Sequence, residues 1–109
     1  MNHLELREQI RRCLHSTHDL EAITGDLAVA GMECEVQTLM PAAVLVPLVE
    51  RTKGYTVLLT QRTAHLEHHG GQISFPGGRA EDRDASPVHT ALREAEEETG
   101  LDRRFVQPL

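Results

Sequence analysis

The pattern of apolar and polar positions predicts a helix near the N-terminus. Within residues 4–20, apolar side chains recur at i, i+4, i+7 and i+8, which is typical of one stripe of an amphipathic helix. The stripe consists of Leu6, Ile10, Cys13 and Leu14. Residues 21–37 show no clear period. The pattern therefore predicts an N-terminal helical arm over residues 1–37, ahead of a larger body that begins at residue 38.

The middle of the chain has the pattern of short β-strands. Residues 42–49 form a β-branched apolar run that predicts a buried strand, although it contains a proline. Residues 51–54 are typical of a turn and residues 55–60 of a second strand, so that the two strands form a hairpin. Residues 72–75 predict a further short strand, which runs into a bend at the following Pro-Gly-Gly sequence.

A second helix is marked at both of its ends. Ser86 followed by Pro87 is typical of an N-cap and a first helical position, and Gly100 is typical of a helix end. The apolar stripe between these ends consists of Val88, Ala91, Leu92, Ala95 and Thr99. These signals predict a helix over residues 87–99.

Composition and charge exclude several classes of protein. The chain has 109 residues, enough for one compact domain, and its formal net charge of −6 disfavours binding to nucleic acid. The longest apolar run has eleven residues, whereas a membrane span needs about 20. The two cysteines fit a reducing compartment, and the N-terminus lacks the pattern of a signal peptide. We therefore expect a cytoplasmic protein that binds neither nucleic acid nor membranes.

Acidic residues are concentrated around the second helix. Seven of the seventeen lie within residues 81–98, where the only basic residues are Arg83 and Arg93. Three carboxylates of this helix share an arc of roughly 100°. They are Glu94, Glu97 and Glu98. Each like-charge pair costs about 0.2–0.5 kcal/mol, and each carboxylate at the negative end of the helix dipole costs about 0.3–1 kcal/mol. Arg93 can reach Glu97 at i+4 but cannot neutralise all three.

A divalent cation would reverse the sign of both penalties. Three carboxylates, with backbone carbonyl groups from the nearby Gly77-Gly78, make an all-oxygen site suited to Mg²⁺ or Mn²⁺. The alternative interpretation is a solvated acidic face at the end of a helix. The helix by itself leaves both interpretations open.

The residues before the helix help to distinguish a metal site from a solvated acidic face. Gly77-Gly78, then Asp84, then residues 93–101 (Arg-Glu-Ala-Glu-Glu-Glu-Thr-Gly-Leu) resemble the Nudix box of pyrophosphate hydrolases, G-x5-E-x7-R-E-U-x-E-E-x-G-U with U aliphatic. From Arg93 onward every specified position is met. Asp84 stands where Glu is usual, and eight residues rather than seven separate it from Arg93.

The preceding segment narrows the resemblance. Residues 58–78 resemble the second signature of the coenzyme A pyrophosphatase branch, LLTxR-[SA]-x3-R-x3-G-x3-FPGG, with Thr63 for Ser or Ala and Glu67 for the second Arg. This branch often carries the longer loop before R-E. The resemblance implies an α/β fold (α+β mixed), with a Nudix-type mixed sheet flanked by helices. Residues 38–109 would form the N-terminal part of such a domain, incomplete after the Nudix helix.

The resemblance also implies a metal centre and a mechanism. Mg²⁺ or Mn²⁺ would be held by Glu94, Glu97, Glu98 and the carbonyl group of Gly77. Water would attack a diphosphate phosphorus, with the metal ions polarising oxygens and lowering the pKa of the water. Glu97 or Glu94 would assist as the base, and Arg93 would orient the glutamates.

The implied substrate is a small-molecule nucleoside-diphosphate derivative. Coenzyme A or a relative would be cleaved to 3',5'-ADP and 4'-phosphopantetheine, with Arg62 and Gly78 in contact with the substrate. A surface salt bridge is the alternative interpretation of Arg62. The negative charge of Glu67 disfavours a multiply phosphorylated ligand, so NADH and ADP-ribose stay as alternative substrates.

A second hypothesis is non-catalytic. Family members continue after the Nudix helix with further strands and a helix, whereas this sequence stops eight residues after Leu101. The chain would then be a weak or inert module that binds metal or nucleotide, or associates with itself, and an unpaired sheet edge favours a homodimer. Zinc binding by His65, His68 and His69 is a weaker alternative, because no cysteine is paired with them.

Overall fold

The computed structural model describes residues 1–14, 39–63 and 70–109. The chain divides into two compact units, of which the second comprises Met40–Pro108. The elements in chain order are α1 (His3–Leu14), β1 (Ala42–Val44), β2 (Leu48–Arg51), β3 (Gly54–Val57), β4 (Thr60–Gln61), β5 (Ile73–Ser74), β6 (Gly77–Arg79) and α2 (Pro87–Thr99), followed by a 3₁₀ turn at Arg103–Phe105. Helices and antiparallel strand pairs together confirm the predicted mixed α/β class.

Within the described ranges, no helix has the length and apolarity to cross a bilayer.

Reciprocal hydrogen bonds close the first turn of α1. The main-chain N–H of Glu5 donates to Oδ1 of Asn2 over 2.8 Å, and the main-chain nitrogen of Asn2 donates to the Glu5 carboxylate over 3.0 Å. This arrangement satisfies N–H groups that lack partners inside the helix. The predicted N-terminal helix is confirmed as far as Leu14. Its predicted continuation to residue 20, and residues 21–37, lie outside the described residues.

The apolar run at residues 42–49 forms two strands rather than the predicted single strand. β1 pairs antiparallel with β6, whereas β2 pairs antiparallel with β3. Pro47, which lies between β1 and β2, has no N–H to donate to a strand ladder. Its carbonyl group accepts from the main-chain N–H of Leu58 over 3.2 Å. The prediction of a single buried strand is therefore wrong, because the chain changes its pairing partner at this proline and because Val44 and Leu48 are 58% and 36% exposed.

The predicted hairpin is confirmed in β2 and β3. Leu48 lies opposite Val57 and Arg51 lies opposite Gly54, with a two-residue turn between the strands. Gly54 has φ of 138°, a backbone conformation that other residues rarely adopt. The second strand ends at Val57 rather than at residue 60, and the chain then enters β4, which pairs with β5.

The two glycines after Pro76 lie in a strand rather than in a bend. Gly77 and Gly78 belong to β6, opposite Val44 and Ala43 of β1, and the bend is confined to Pro76. A Cβ atom at position 77 would lie 2.5 Å from the carbonyl oxygen of Ala43. Glycine at this position therefore allows the two strands to approach closely.

Helix α2 begins and ends where the sequence predicts. The Ser86 side chain accepts from the N–H of His89 over 3.3 Å, and Gly100 has φ of 73° and donates its N–H to the carbonyl oxygen of Glu96. The helix packs on β1 and β6. The predicted apolar stripe is only partly buried, since Val88 is 47% exposed. The buried side chains of α2 belong to Thr90, Ala91, Arg93 and Ala95.

Candidate metal and catalytic site

Arg93 joins three segments of the chain. Its side chain is 8% exposed, and its guanidinium group makes two hydrogen bonds to one carboxylate, from Nε to Oδ1 of Asp84 over 2.9 Å and from Nη2 to Oδ2 over 3.0 Å. Nη2 also donates to the carbonyl oxygen of Arg79 over 2.9 Å. One side chain of α2 thereby links the end of β6 and the loop before the helix. Such paired bonds between arginine and a carboxylate fix orientation as well as distance.

The side chain of Asp84 is buried, and both of its carboxylate oxygens accept hydrogen bonds. Its side chain is 5% exposed, and Oδ2 accepts from the hydroxyl group of Thr90 and from the main-chain N–H of Glu81, both over 2.9 Å. The hydrogen bonds from Arg93, followed by the one from Glu81, hold the pKa of Asp84 well below its usual range. The bonds to Asp84 in turn raise the pKa of Arg93 above its usual value. Both groups are therefore charged at neutral pH.

Asp84 occupies the place of the glutamate in the family pattern. The structure brings its shorter side chain into contact with Arg93 across the longer loop. One added loop residue costs little, because the entropy of closing a loop grows slowly with its length. The shorter side chain and the longer loop thus still allow Asp84 to pair with Arg93.

The remaining nitrogen of Arg93, Nη1, faces acidic residues. It lies 3.0 Å from Oε1 of Glu94 and 3.4 Å from both carboxylate oxygens of Glu97. The carboxylate of Glu81 also approaches it to 3.4 Å. The positive charge of Arg93 therefore offsets part of the repulsion between the carboxylates on this face of the helix.

Glu94 lies against the main chain of Gly78. A Cβ atom at position 78 would come within 2.7 Å of both carboxylate oxygens of Glu94. The Glu94 side chain is 20% exposed, so it is held in the cleft between β6 and α2 while remaining accessible to solvent. Gly78, predicted to contact substrate, thus has a second role that the sequence did not indicate: its missing side chain makes room for Glu94.

The other predicted site residues are more exposed. The Glu97 side chain is 52% exposed, and Glu98 is exposed as well. Arg62 is exposed and follows β4, where its main-chain N–H donates to the carbonyl oxygen of Gln72 over 2.9 Å. Glu67 and the three histidines within residues 64–69 lie outside the described residues.

The donor chemistry of these residues fits a hard divalent cation, but the side chains are not gathered around one point. Within residues 1–14, 39–63 and 70–109, no group of three or more His, Cys, Asp or Glu side chains is close enough to hold a metal ion. Glu94 and Glu97 converge on Nη1 of Arg93 instead. Carboxylate and carbonyl oxygens are nevertheless the ligands that Mg²⁺ and Mn²⁺ prefer. The metal site stays a prediction.

A cavity of about 360 Å³ lies beside α2. Its walls include Glu97 and Arg93, together with Arg83 and Arg103, but not Glu94 or Glu98. Arg103 is paired with Glu96 over 2.9 Å, and Arg83 lies 3.4 Å from Glu97. The charges of these two arginines are therefore already opposed by glutamates, and we place the candidate site at Glu94 and Gly78 rather than in this cavity.

Thr90 is a member of the site that sequence reasoning missed. Its hydroxyl group donates to Asp84, and its side chain is almost fully buried, at 1% exposure. The spacing of Thr90, Glu94 and Glu97 at i, i+4 and i+7 puts them on one helix face, which is the signal that could have identified it.

Comparison with known proteins identifies a family to which most of the chain is similar. Residues 39–109, more than half of the chain, match the NUDIX domain family. The chain is 52% identical over 68 residues to an uncharacterized Nudix hydrolase, NudL, of Yersinia enterocolitica, which covers 62% of the chain and 34% of the relative. It is 55% identical over 60 residues to NudL of Escherichia coli K12, which covers 55% of the chain and 31% of the relative. The matched part is thus about a third of the length of these curated relatives. Because the domain match covers more than half of the chain, the chain belongs to the Nudix hydrolase family.

Proposed function

We propose that this chain carries the catalytic helix of a metal-dependent enzyme that hydrolyses a pyrophosphate bond in a nucleoside-diphosphate derivative. The observation that supports this most directly is the position of Glu94, which contacts Nη1 of Arg93 and lies against Gly78. The family motif provides this glutamate, and the close approach of β6 to α2 fixes its place. The expected substrate is coenzyme A or a relative, cleaved to 3',5'-ADP and 4'-phosphopantetheine.

In this proposal, oxygen ligands of β6 and α2 would hold Mg²⁺ or Mn²⁺. They are the carbonyl group of Gly77 and the carboxylates of Glu94, Glu97 and Glu98. When bound, the cation polarises phosphate oxygens and lowers the pKa of the attacking water. Glu97 or Glu94 accepts the proton of that water, and Arg93 restrains both carboxylates through Nη1.

The charge of the chain favours a metal ion between the protein and such a substrate. A net charge of −6 repels a diphosphate, and the glutamates of α2 add to this repulsion locally. A divalent cation bound between the glutamates of α2 and the diphosphate group would be attracted to both. Arg62 and the main chain at Gly78 are the proposed substrate contacts, and we propose that the enzyme acts in the cytoplasm.

The activity is tested by incubating the chain with coenzyme A and Mn²⁺ or Mg²⁺ and quantifying 3',5'-ADP. NADH and ADP-ribose, in parallel reactions, identify the substrate class. Glu98→Gln should abolish hydrolysis, whereas Glu96→Gln should not, because Glu96 pairs with Arg103 on a different side of the helix. Absence of cleavage of all three substrates by the wild-type chain would contradict catalysis by this chain.

The metal site is tested separately by calorimetric titration with Mn²⁺. We expect binding by the wild-type chain, loss of binding in Glu94→Gln/Glu98→Gln, and retention in Glu96→Gln. Binding of Mn²⁺ without hydrolysis of any diphosphate would favour the alternative, a metal- or nucleotide-binding module. Unchanged binding in the double variant would exclude the proposed ligands.

We also propose self-association as a homodimer. In the part of the chain that the structure describes, each strand pairs with one neighbour only. Apolar side chains are exposed on these strands, among them Val57 at 51% and Ile73 at 62%. Open strand edges with apolar side chains favour pairing with a second chain. Sedimentation equilibrium tests this proposal, since a monomer at micromolar to millimolar concentration would exclude it.

A further inference from the structure

Thr90 lies on α2 one turn before Glu94, at a position that the family pattern leaves unspecified. Its Oγ1 lies 2.9 Å from Oδ2 of Asp84 and 3.4 Å from the carbonyl oxygen of Ser86. A threonine hydroxyl carries one proton, and the shorter contact to a charged acceptor is the stronger bond. Thr90 therefore donates to Asp84, and this bond is buried since Thr90 is 1% exposed.

The carboxylate that accepts this bond is held from three directions. Oδ2 of Asp84 accepts from Thr90, from the N–H of Glu81 and from Nη2 of Arg93, while Oδ1 accepts from Nε of Arg93. The orientation of the carboxylate sets the plane in which the guanidinium group can form both bonds. In that plane, Nη1 is the nitrogen that faces Glu94 and Glu97. The direction of Nη1 thus depends on the orientation of Asp84, together with the bond from Nη2 to the carbonyl oxygen of Arg79.

We propose that Thr90 is a positioning residue of the site, which aligns Arg93 with Glu94 and Glu97 by restraining Asp84. Removal of the hydroxyl group leaves Oδ2 with one donor fewer and allows the carboxylate to turn. The guanidinium group then keeps its bond to the carbonyl oxygen of Arg79 but is held less firmly in its plane, and Nη1 restrains the two glutamates less tightly. The consequence for metal binding rests on the proposed function, whereas the consequence for the order of Arg93 does not.

The variants Thr90→Val and Thr90→Ser separate the hydroxyl group from the size of the side chain. Valine has nearly the same volume without the hydroxyl group, and serine retains the hydroxyl group. Thr99→Val is the matched control, because its hydroxyl group also lies on α2 but donates to the carbonyl oxygen of Ala95 over 2.6 Å. Thermal unfolding of each variant shows whether it is folded.

The direct measurement is the solvent-exchange rate of the Arg93 Nε–H, read by NMR in the absence of metal. We expect Thr90→Val to accelerate this exchange about tenfold, as the loss of one buried charged hydrogen bond implies. Thr90→Ser and Thr99→Val should stay within about twofold of the wild type. Calorimetric titration with Mn²⁺ should show binding weakened about three- to tenfold in Thr90→Val alone, below the range for a direct second-sphere partner.

The outcomes distinguish this proposal from the proposed function. Faster exchange in Thr90→Val, with no Mn²⁺ binding by the wild-type chain, would support the positioning role and contradict the metal site. Unchanged exchange in folded Thr90→Val, even with a lower Tm, would show that Thr90 serves stability only and would overturn the proposal. Thr90→Ser behaving like Thr90→Val would overturn it too. If Thr90→Val does not fold, Thr90→Ala is measured in its place with the same criteria.

Discussion

The carboxylate of Glu94 lies against the α-carbon of Gly78, at a distance that leaves no room for a Cβ atom. This relationship joins the last strand of the described sheet pairs to the helix that carries the acidic motif. The two adjacent glycines, Gly77 and Gly78, therefore have different structural roles. Gly77 allows β6 to approach β1, and Gly78 allows β6 to approach the side chain of Glu94.

The substitution Gly78→Ala should therefore displace the carboxylate of Glu94. The cost in stability should be small, about 1 kcal/mol or less, because an added methyl group meets only the far end of a flexible, part-exposed side chain. Removal of the obstructing carboxylate should abolish this cost, so that Gly78→Ala and Glu94→Ala are non-additive by about 0.5 kcal/mol. Urea unfolding of the two single variants and the double variant measures this coupling. Additive effects would mean that the two residues are not in contact.

Because Asp84 is paired with Arg93, we expect the free energy of unfolding to fall at acidic pH. The pKa of Asp84 is lower in the folded chain than the value of about 3.9 for an unfolded chain. A group of this kind contributes its full stabilisation above the unfolded pKa and loses it as the pH falls toward the folded pKa. The contribution should be constant from about pH 5 to 7 and decline below about pH 4.

Urea unfolding between pH 2 and pH 7 checks this on Asp84→Asn. The difference in unfolding free energy between the wild type and this variant should shrink as the pH falls below about 4. Asp82→Asn, at an exposed position in the same loop, is the control and should show a small difference at every pH. A difference for Asp84→Asn that is constant over the whole range would contradict the depressed pKa.

The N-cap of α2 should contribute measurably to the stability of the site. Ser86→Ala removes the acceptor for the N–H of His89 and should cost about 1 kcal/mol, whereas Ser86→Asp keeps an acceptor at the N-cap and should cost little. Thermal unfolding of both variants measures the effect. Equal stability of Ser86→Ala and the wild type would show that the cap is satisfied by other groups.

Substrate preference should depend on Glu67, which stands where the coenzyme A pyrophosphatase branch has arginine. On the proposed function, Glu67→Arg should lower KM for coenzyme A by about threefold or more, since a repulsive charge becomes an attractive one. ADP-ribose lacks the additional phosphate and should respond less. Glu50→Arg, which makes the same change in net charge on β2, is the control. Equal effects of the two variants on coenzyme A would attribute the change to net charge alone.

Much of the local structure could be predicted from the sequence, because its signals are short-range. Ser86-Pro87 and Gly100 define the bounds of α2 through capping, which involves residues within one helical turn. The hairpin of β2 and β3 follows from a turn between two apolar runs. The motif beginning at Arg93 identified the family, and the domain match confirms it.

Tertiary structure decided which polar side chains became buried and which strands became partners. Pro47 locates the break between β1 and β2, but no local pattern encodes the pairing of β1 with β6, which brings Ala43 to Gly78. The burial of Arg93 and Thr90 requires Asp84 to come from a loop outside the helix. The sequence by itself determined the helix, its acidic face and the family. Only the approach of β6 to α2 decided how Gly78, Glu94 and Arg93 meet, because contacts between residues far apart in the chain depend on packing and not on periodicity.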